Sequence, residues 1–315
     1  VKDAASTREV SIFCPVCAAQ TARVIYPEAR DYITKEAFAV VGCSGCGASF
    51  TVPVPESLDR YYPRSYRRYN AVIITFLKLL YRQRVLRWHR LFSKPGKVLE
   101  IGCGDGFMLN NLQSLGWRVF GTERTVEMAT FAREHFGITV FVEDTTPIPA
   151  GECYELVVMF QVLEHLADPI PQLTRASSLL APGGKLIIGV PNFASWQSQF
   201  GRDGWFHLDV PRHLVHWTPQ SIRAAADKAD MCVDSIAFTS VEHDPYGWIQ
   251  TVLNRVFHNG NRLTRLLMRA DRWRLTDIGT LALAALMTPF ACALSLISWI
   301  AGRGAIMQVV LSKKT

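Results

Sequence analysis

The 315-residue sequence predicts an α/β fold: a largely parallel sheet covered by helices on both faces. Three observations predict it. Strand-like and helix-like runs alternate at short spacing through the middle of the chain. A glycine-rich turn, Gly102-Cys103-Gly104-Asp105-Gly106, joins the first of these strands to its helix. An acid, Glu123, then ends the second strand, seventeen residues past Gly106.

The elements follow from their flanking residues. A helix is expected over 71–92, stopping before Lys94-Pro95-Gly96, and 97–101 is the first strand. Residues 105–115 read as a helix, 117–122 as a strand, 125–136 as a helix, and 138–142 and 155–160 as the next strands. The helix over 170–180 leads through Pro182-Gly183-Gly184 into a strand at 185–190. A helix at 219–229 and a strand at 232–240 complete the alternation. Beyond it the pattern changes to basic helices over 246–275, a long uncharged stretch, and a last strand-like run at 305–311.

The glycine turn carries chemistry. Glycines permit a tight strand-to-helix turn and let a ligand approach the backbone at a helix N-terminus. The spacing is G-x-G-x-G, with Glu100 two residues before the first glycine. The dinucleotide fingerprint is G-x-G-x-x-G without that acid, which would repel a pyrophosphate. An acid there suits an ammonium group. A carboxylate at the end of the second strand suits the two hydroxyls of a ribose. Ammonium plus ribose describes S-adenosylmethionine.

Residues 98–192 resemble the class I S-adenosylmethionine-dependent methyltransferases, in particular the group similar to ubiquinone-biosynthesis O-methyltransferases. The matching motifs are VLEIGCGDG at 98–106, the acid Glu123, Glu143-Asp144 after the third strand, QVLEHLADP at 161–169 and LLAPGGKLIIGVPN at 179–192. The resemblance implies a Rossmann-like seven-stranded sheet whose last strand is antiparallel. It implies cofactor contacts at Glu100, Gly102, Gly104, Glu123, Asp144 and Gln161, with Cys103 and Gly106 completing the loop. A one-residue shift at the strand end would exchange Asp144 for Glu143 beside the adenine.

Methyl transfer from a sulfonium already has a good leaving group, so positioning supplies most of the rate and a base is needed when the acceptor is a hydroxyl. His165, after the fourth strand, and His213, in the segment PRHLVHWTPQS at 211–221, are the candidate bases. That segment also resembles one common in the same group. Loops at the C-terminal edge of a parallel sheet hold ligand sites, which favours His213.

The flanks carry further signals. Cys14-Pro-Val-Cys17 and Cys43-Ser-Gly-Cys46 form two Cys-x-x-Cys knuckles with 25 residues between Cys17 and Cys43. Four thiolates so spaced predict a closed, structural Zn2+ site in a zinc ribbon over 1–57. The other four cysteines are scattered. The paired cysteines point to metal and not to a disulfide framework, and together with a polar Val1–Val10 stretch that carries no apolar run they lead to the expectation of a reducing, cytoplasmic setting. The net charge of +7 is unevenly placed. Eleven Lys/Arg and no acid lie between Arg60 and Lys97, and six Arg against one Asp lie between Tyr246 and Leu275.

From Ile278 to Gly302 no residue is charged, and Pro289 divides the stretch into pieces of eleven and thirteen residues. Each is too short to cross a bilayer. The expectation is therefore a helical hairpin dipping into one leaflet, a membrane-contacting insertion before the last strand, with the basic helices against anionic headgroups on the inner face of the membrane. The domain reading is 1–57 zinc ribbon, 58–95 connector and helix, 96–245 catalytic core, 246–303 basic helices and hairpin, and 304–315 last strand. The acceptor expected is a small or lipid-linked molecule, such as a polyprenyl-linked sugar, a polysaccharide or a quinone precursor. The alternative is a zinc-ribbon ribosomal-RNA methyltransferase, in which the basic blocks would meet nucleic acid phosphates.

Overall fold

The computed structural model describes residues 9–62, 71–142, 148–258, 260–268 and 270–314. Residues 63–70 of the connector and the acidic pair Glu143-Asp144 lie outside them. The chain opens with β1 (Glu9–Ser11), β2 (Thr21–Arg30), β3 (Ala37–Cys43) and β4 (Ser49–Val52), an antiparallel meander. After α1 (Ala71–His89) come β5 (Lys97–Ile101), α2 (Phe107–Ser114), β6 (Arg118–Glu123), α3 (Val126–Phe136) and β7 (Thr139–Val142). The chain then returns through β8 (Tyr154–Phe160), α4 (Pro169–Ser178), β9 (Leu180–Pro191) and α5 (Trp196–Gly201). It ends with β10 (Val215–His216), α6 (Pro219–Lys228), β11 (Met231–Ala237), α7 (Asp244–Phe257), α8 (Arg262–Leu267), α9 (Asp277–Ile300) and β12 (Ile306–Lys313).

The large sheet has seven strands in the order β11-β12-β9-β8-β5-β6-β7. β12 runs antiparallel to both neighbours, and the pairs formed among β5 to β9 are parallel. Both faces are covered, so the central strands are mostly apolar, with Glu100 of β5 a buried exception. Alternate side chains serve opposite layers: Val98, Leu156, Val158 and Ile187 pack under α1, α2 and α3, while Leu99, Val157, Met159 and Ile188 pack under α4 and α6. The strand order reverses between β5 and β8, and the crevice at their C-terminal ends is where such sheets bind ligands.

The N-terminal sheet is completed from within the catalytic chain. β10 pairs with β4, Val215 opposite Phe50 and His216 opposite Ser49, giving the order β1-β2-β3-β4-β10. The apolar core is continuous across this junction, from Val16, Val41 and Phe50 to Trp217 and Ile222.

The hairpin expected over the uncharged stretch is not formed. Residues 277–300 make one continuous helix, α9, with Pro289 inside it. An interior proline removes one hydrogen bond and crowds the preceding turn, at a cost of about 3 kcal/mol. Packing on both sides of Pro289 outweighs this: Ala284, Ala291, Leu281 and Met287 lie against Trp248, Ile249 and Leu253 of α7. Pro289 itself faces outward. Helix α9 is long and apolar enough to cross a membrane, yet only 11% of its most apolar window is buried.

Candidate active site

The loop between β5 and α2 turns through three left-handed glycines, Gly102, Gly104 and Gly106. At Gly102 (φ +72°) a Cβ would also lie 2.7 Å from Val162, so glycine is required on two counts. Glu100, on β5, is buried beneath this loop. Glu123, ending β6, accepts the Gly104 N–H at 2.9 Å and the Thr125 N–H at 2.8 Å. It thereby ties the glycine loop to the neighbouring strand.

A cavity of about 310 Å³ opens at the crevice. Glu100, Gly102, Cys103 and Gln161 line it, and so do both histidine candidates, His165 and His213. Gly104, Gly106 and Glu123 shape its edge without lining it. Asp144 lies outside the described residues. Gln161 adopts a left-handed backbone (φ +57°), as does Asp209 (φ +40°) on the opposite wall. Non-glycine residues rarely hold this conformation, and those that do cluster at functional sites.

His165 and His213 stand 48 positions apart in the chain, and their rings meet edge to face at 4.8 Å. Two backbone contacts bring them together. The Leu214 N–H donates to the Glu164 carbonyl at 2.7 Å, and His165 Nδ1 donates to the Arg212 carbonyl at 2.9 Å. His213 Nδ1 donates to the His207 carbonyl at 2.9 Å. A ring nitrogen bonded to a carbonyl carries the proton, so Nε2 of each ring keeps the basic lone pair. Burial lowers the His213 pKa below its ordinary value, opposed by the charge of Asp209, whose Oδ2 lies 3.9 Å from Nε2.

Two site groups, Glu164 and Arg84, were given no role by the sequence, although Glu164 lies within the motif QVLEHLADP. Glu164 is fully buried, and its carboxyl has no hydrogen-bond partner among the described residues; burial pushes it up to about 8. Its oxygen and the nitrogens of His165 and His213 lie within 4.8 Å of one another. Arg84 of α1 is buried with its guanidinium 3.8 Å over the Phe160 ring, ion-paired to Glu242, and lines the same cavity as Glu100. Its one signal in the sequence is its place in the acid-free basic block.

The wall carrying His213 is held by Arg212, which is completely buried. Its guanidinium donates to Asp209 at 2.6 and 2.9 Å, to Asp31 at 2.8 Å and to the Tyr61 carbonyl at 2.5 Å, and lies 4.2 Å over the Tyr32 ring. Asp31, Tyr32 and Tyr61 belong to the N-terminal part of the chain. Thr51 of β4 adds a bond to the His213 carbonyl at 2.8 Å. The N-terminal module is thus one wall of the site.

In that module the four cysteine sulfurs converge. Cys14 and Cys46 are 3.6 Å apart, Cys17 and Cys43 3.5 Å, and all four sulfurs lie within 4.8 Å of one another. A disulfide would bring two sulfurs to ~2.0 Å. Thiolates at ~2.3 Å from a tetrahedral zinc stand roughly 3.8 Å apart, so the cluster fits that ion.

Residues 73–236, just over half of the chain, match the methyltransferase domain family. The ubiquinone biosynthesis O-methyltransferase of Cereibacter sphaeroides is 35% identical over 171 residues, covering 50% of this chain and 68% of that one. The enzyme of the same name from Dinoroseobacter shibae is 33% identical over 162 residues, 45% of this chain and 65% of that one. The match therefore spans about two thirds of these relatives. A solved TehB-like SAM-dependent methyltransferase of Corynebacterium glutamicum is 15% identical, covers 74% of this chain and 88% of its own, and has a TM-score of 0.42. The chain belongs to the methyltransferase domain family and is an S-adenosylmethionine-dependent methyltransferase.

Proposed function

We propose that this enzyme methylates a hydroxyl of a lipid-linked acceptor, a polyprenyl-linked sugar or polysaccharide or a quinone precursor, at a membrane surface. The observation that carries this reading is α9. Its outward side is an apolar stripe, Ile278, Leu286, Phe290, Ile297 and Ile300, each more than half exposed. Both ends of the helix are fastened to the folded body. Arg262 holds Asp277 at 2.7 Å, and Trp299 donates to Asp244 at 2.5 Å just before the chain enters β12. A helix so tied lies along a bilayer surface instead of crossing it. Exposed Arg255, Arg272, Arg274 and Arg303 suit anionic headgroups beside it, as on the inner face of a cell membrane. The names of the two O-methyltransferase relatives point to oxygen and to a lipid-like acceptor.

In this reading Glu100 receives the ammonium and Arg84 the carboxylate of the methionine end, because both line one buried cavity with opposite charge. Gly102, Cys103, Gly104 and Gln161 frame that end, and Glu123, with lone pairs left beyond its two backbone bonds, takes the ribose hydroxyls. Asp144 is assigned to the adenine by its motif. S-adenosylmethionine supplies the electrophilic methyl group. His213 Nε2 would take the acceptor proton as the oxygen–carbon bond forms and the methyl carbon–sulfur bond breaks, the thioether S-adenosylhomocysteine leaving. His165 packs edge to face against His213 to hold its ring. Glu164, His165 and His213 are also a donor set for a divalent transition metal, so dependence of the rate on added zinc or iron(II) would favour a metal-held acceptor hydroxyl.

The test follows label from methyl-radioactive S-adenosylmethionine, incubated with the protein and cell extract, into separated lipid, RNA and protein fractions. The expected label is organic-soluble. Label in RNA would replace this reading with the ribosomal-RNA alternative, for which the basic blocks are the remaining argument.

The cysteine cluster is assigned a structural zinc, on sulfur spacing and a closed four-thiol set. Cys43→Ser should lose stoichiometric zinc. It should also lower kcat, because β3 and β4 lead from this cluster to the strand beside His213. Full activity in a zinc-free protein would sink the assignment.

A further inference from the structure

A second cavity, of about 950 Å³, is larger than the one that holds the histidines. It lies where the turn after β2, helix α8 and the start of α9 meet. Leu253, Phe257 and Leu283 form an apolar wall, and Lys35, Arg265 and Arg274 give it a cationic rim. Two carboxylates also line it, but Arg262 and Arg265 take them: Arg262 bonds Asp277 at 2.7 and 3.0 Å, and Arg265 bonds Asp271 at 2.9 Å. Among the described residues neither Lys35 nor Arg274 has a carboxylate at ion-pair distance.

Two of these cations, Lys35 and Arg265, converge. A methyl group built on Gly260 would lie 3.3 Å from the Lys35 ammonium and 3.7 Å from the Arg265 guanidinium. Lys35 is delivered by a strained turn, with φ +67° in a non-glycine residue. Lys35 and Arg265 both donate to the Tyr32 carbonyl, at 2.8 and 3.3 Å, and Asp271 balances Arg265, so Lys35 and Arg274 are the cations left for an anion at the mouth of this apolar hollow to share.

Helix α8 divides this cavity from the site. Arg262 and Arg265 line the large cavity, while Thr264 and Met268 line the cavity of His213, and Tyr32 borders both. One helix is roughly 10 Å across, so the two cavities are separated by about the span of one or two sugar rings. The apolar stripe of α9 begins beside the cationic rim, at Ile278.

We infer that the large cavity binds the phosphate or diphosphate of a polyisoprenyl carrier, with the isoprenoid lying along α9 and the group to be methylated reaching past α8 to His213. This rests on the lipid-linked reading above.

The test measures binding of the full chain to phosphatidylcholine vesicles carrying undecaprenyl phosphate, against vesicles matched in charge with phosphatidylglycerol. A preference for undecaprenyl phosphate of about tenfold or more is expected, about 1.4 kcal/mol. The double variant Lys35→Asn, Arg274→Gln should lose that preference while binding S-adenosylmethionine normally; if it does not fold, Arg274→Gln alone should reduce it. Equal binding to both vesicle types, or a folded variant that keeps the preference, would overturn the inference. Inorganic diphosphate binding as tightly as the lipid would mean a soluble phosphate ligand and overturn the carrier. Label that still enters the organic-soluble fraction alongside a negative vesicle result removes this inference alone, whereas label in RNA removes the reading beneath it.

Discussion

His213→Ala lowers kcat by roughly 10²–10⁴, the range expected for losing a positioned general base, and leaves the affinity for S-adenosylmethionine within about twofold. The split follows from the geometry. His213 faces the cavity from the β10 side, with its Nδ1 proton committed to the His207 carbonyl, whereas the two carboxylates assigned above to the cofactor, Glu100 and Glu123, sit on β5 and β6. Radiolabel transfer at saturating cofactor, together with calorimetric binding of S-adenosylmethionine, checks both halves. Unchanged turnover would remove His213 from the mechanism, and lost cofactor binding would make it a structural clamp.

The pH dependence supplies a second readout on the same residue. Transfer requires the neutral imidazole, so activity is present above the His213 pKa and lost as pH falls through it. Burial holds that pKa below the ordinary 6.5. The acid limb of the wild-type profile should therefore lie below pH 6.5 and vanish in the residual activity of His213→Ala. An acid limb above 6.5 would mean that another group limits the rate.

Arg212→Ala destabilises the protein by about 3–5 kcal/mol, the cost of leaving a buried charge without its partner. Two carboxylates lose their counter-ion at once: Asp31, completely buried, and Asp209, largely buried. Urea unfolding at neutral pH measures the effect. Arg212→Lys should recover little of it, because an ammonium cannot reproduce the guanidinium fork that reaches Asp31, Asp209 and the Tyr61 carbonyl together. Burial would raise the Asp209 pKa, but Arg212 together with His213 and His165 outweighs it and the net shift is downward. That part of the stabilisation is present above the ordinary 3.8 and is lost only as pH falls through the lower folded value. The gap between wild type and variant should therefore persist at neutral pH and narrow only in strong acid. A loss below about 1 kcal/mol would mean that the site wall is held mainly by β4–β10 pairing.

Much of this was legible along the chain because it is local. The glycine turn, the acids flanking it, the paired cysteines and the apolar strands each report conformational demands spanning only a few residues, and the element boundaries follow to within a residue or two at β5, β7 and α3. Other features depend on contacts that no local pattern encodes. The pairing of β10 with β4 joins residues 165 apart, and the Arg212–Asp31 bond joins residues 181 apart. Asp31 reads in sequence as an ordinary turn aspartate, and Arg84 as one cation among eleven. Pro289 misled because a proline breaks an isolated helix, while here α7 supplies packing that no window around the proline contains. Sequence periodicity and motif spacing were enough for the sheet, the cofactor loop and the four thiols, since each is specified by neighbours in the chain. The meeting of His165 with His213, the N-terminal wall of the site and the course of α9 were decided only on folding, because each depends on burial against residues that the chain brings from far away.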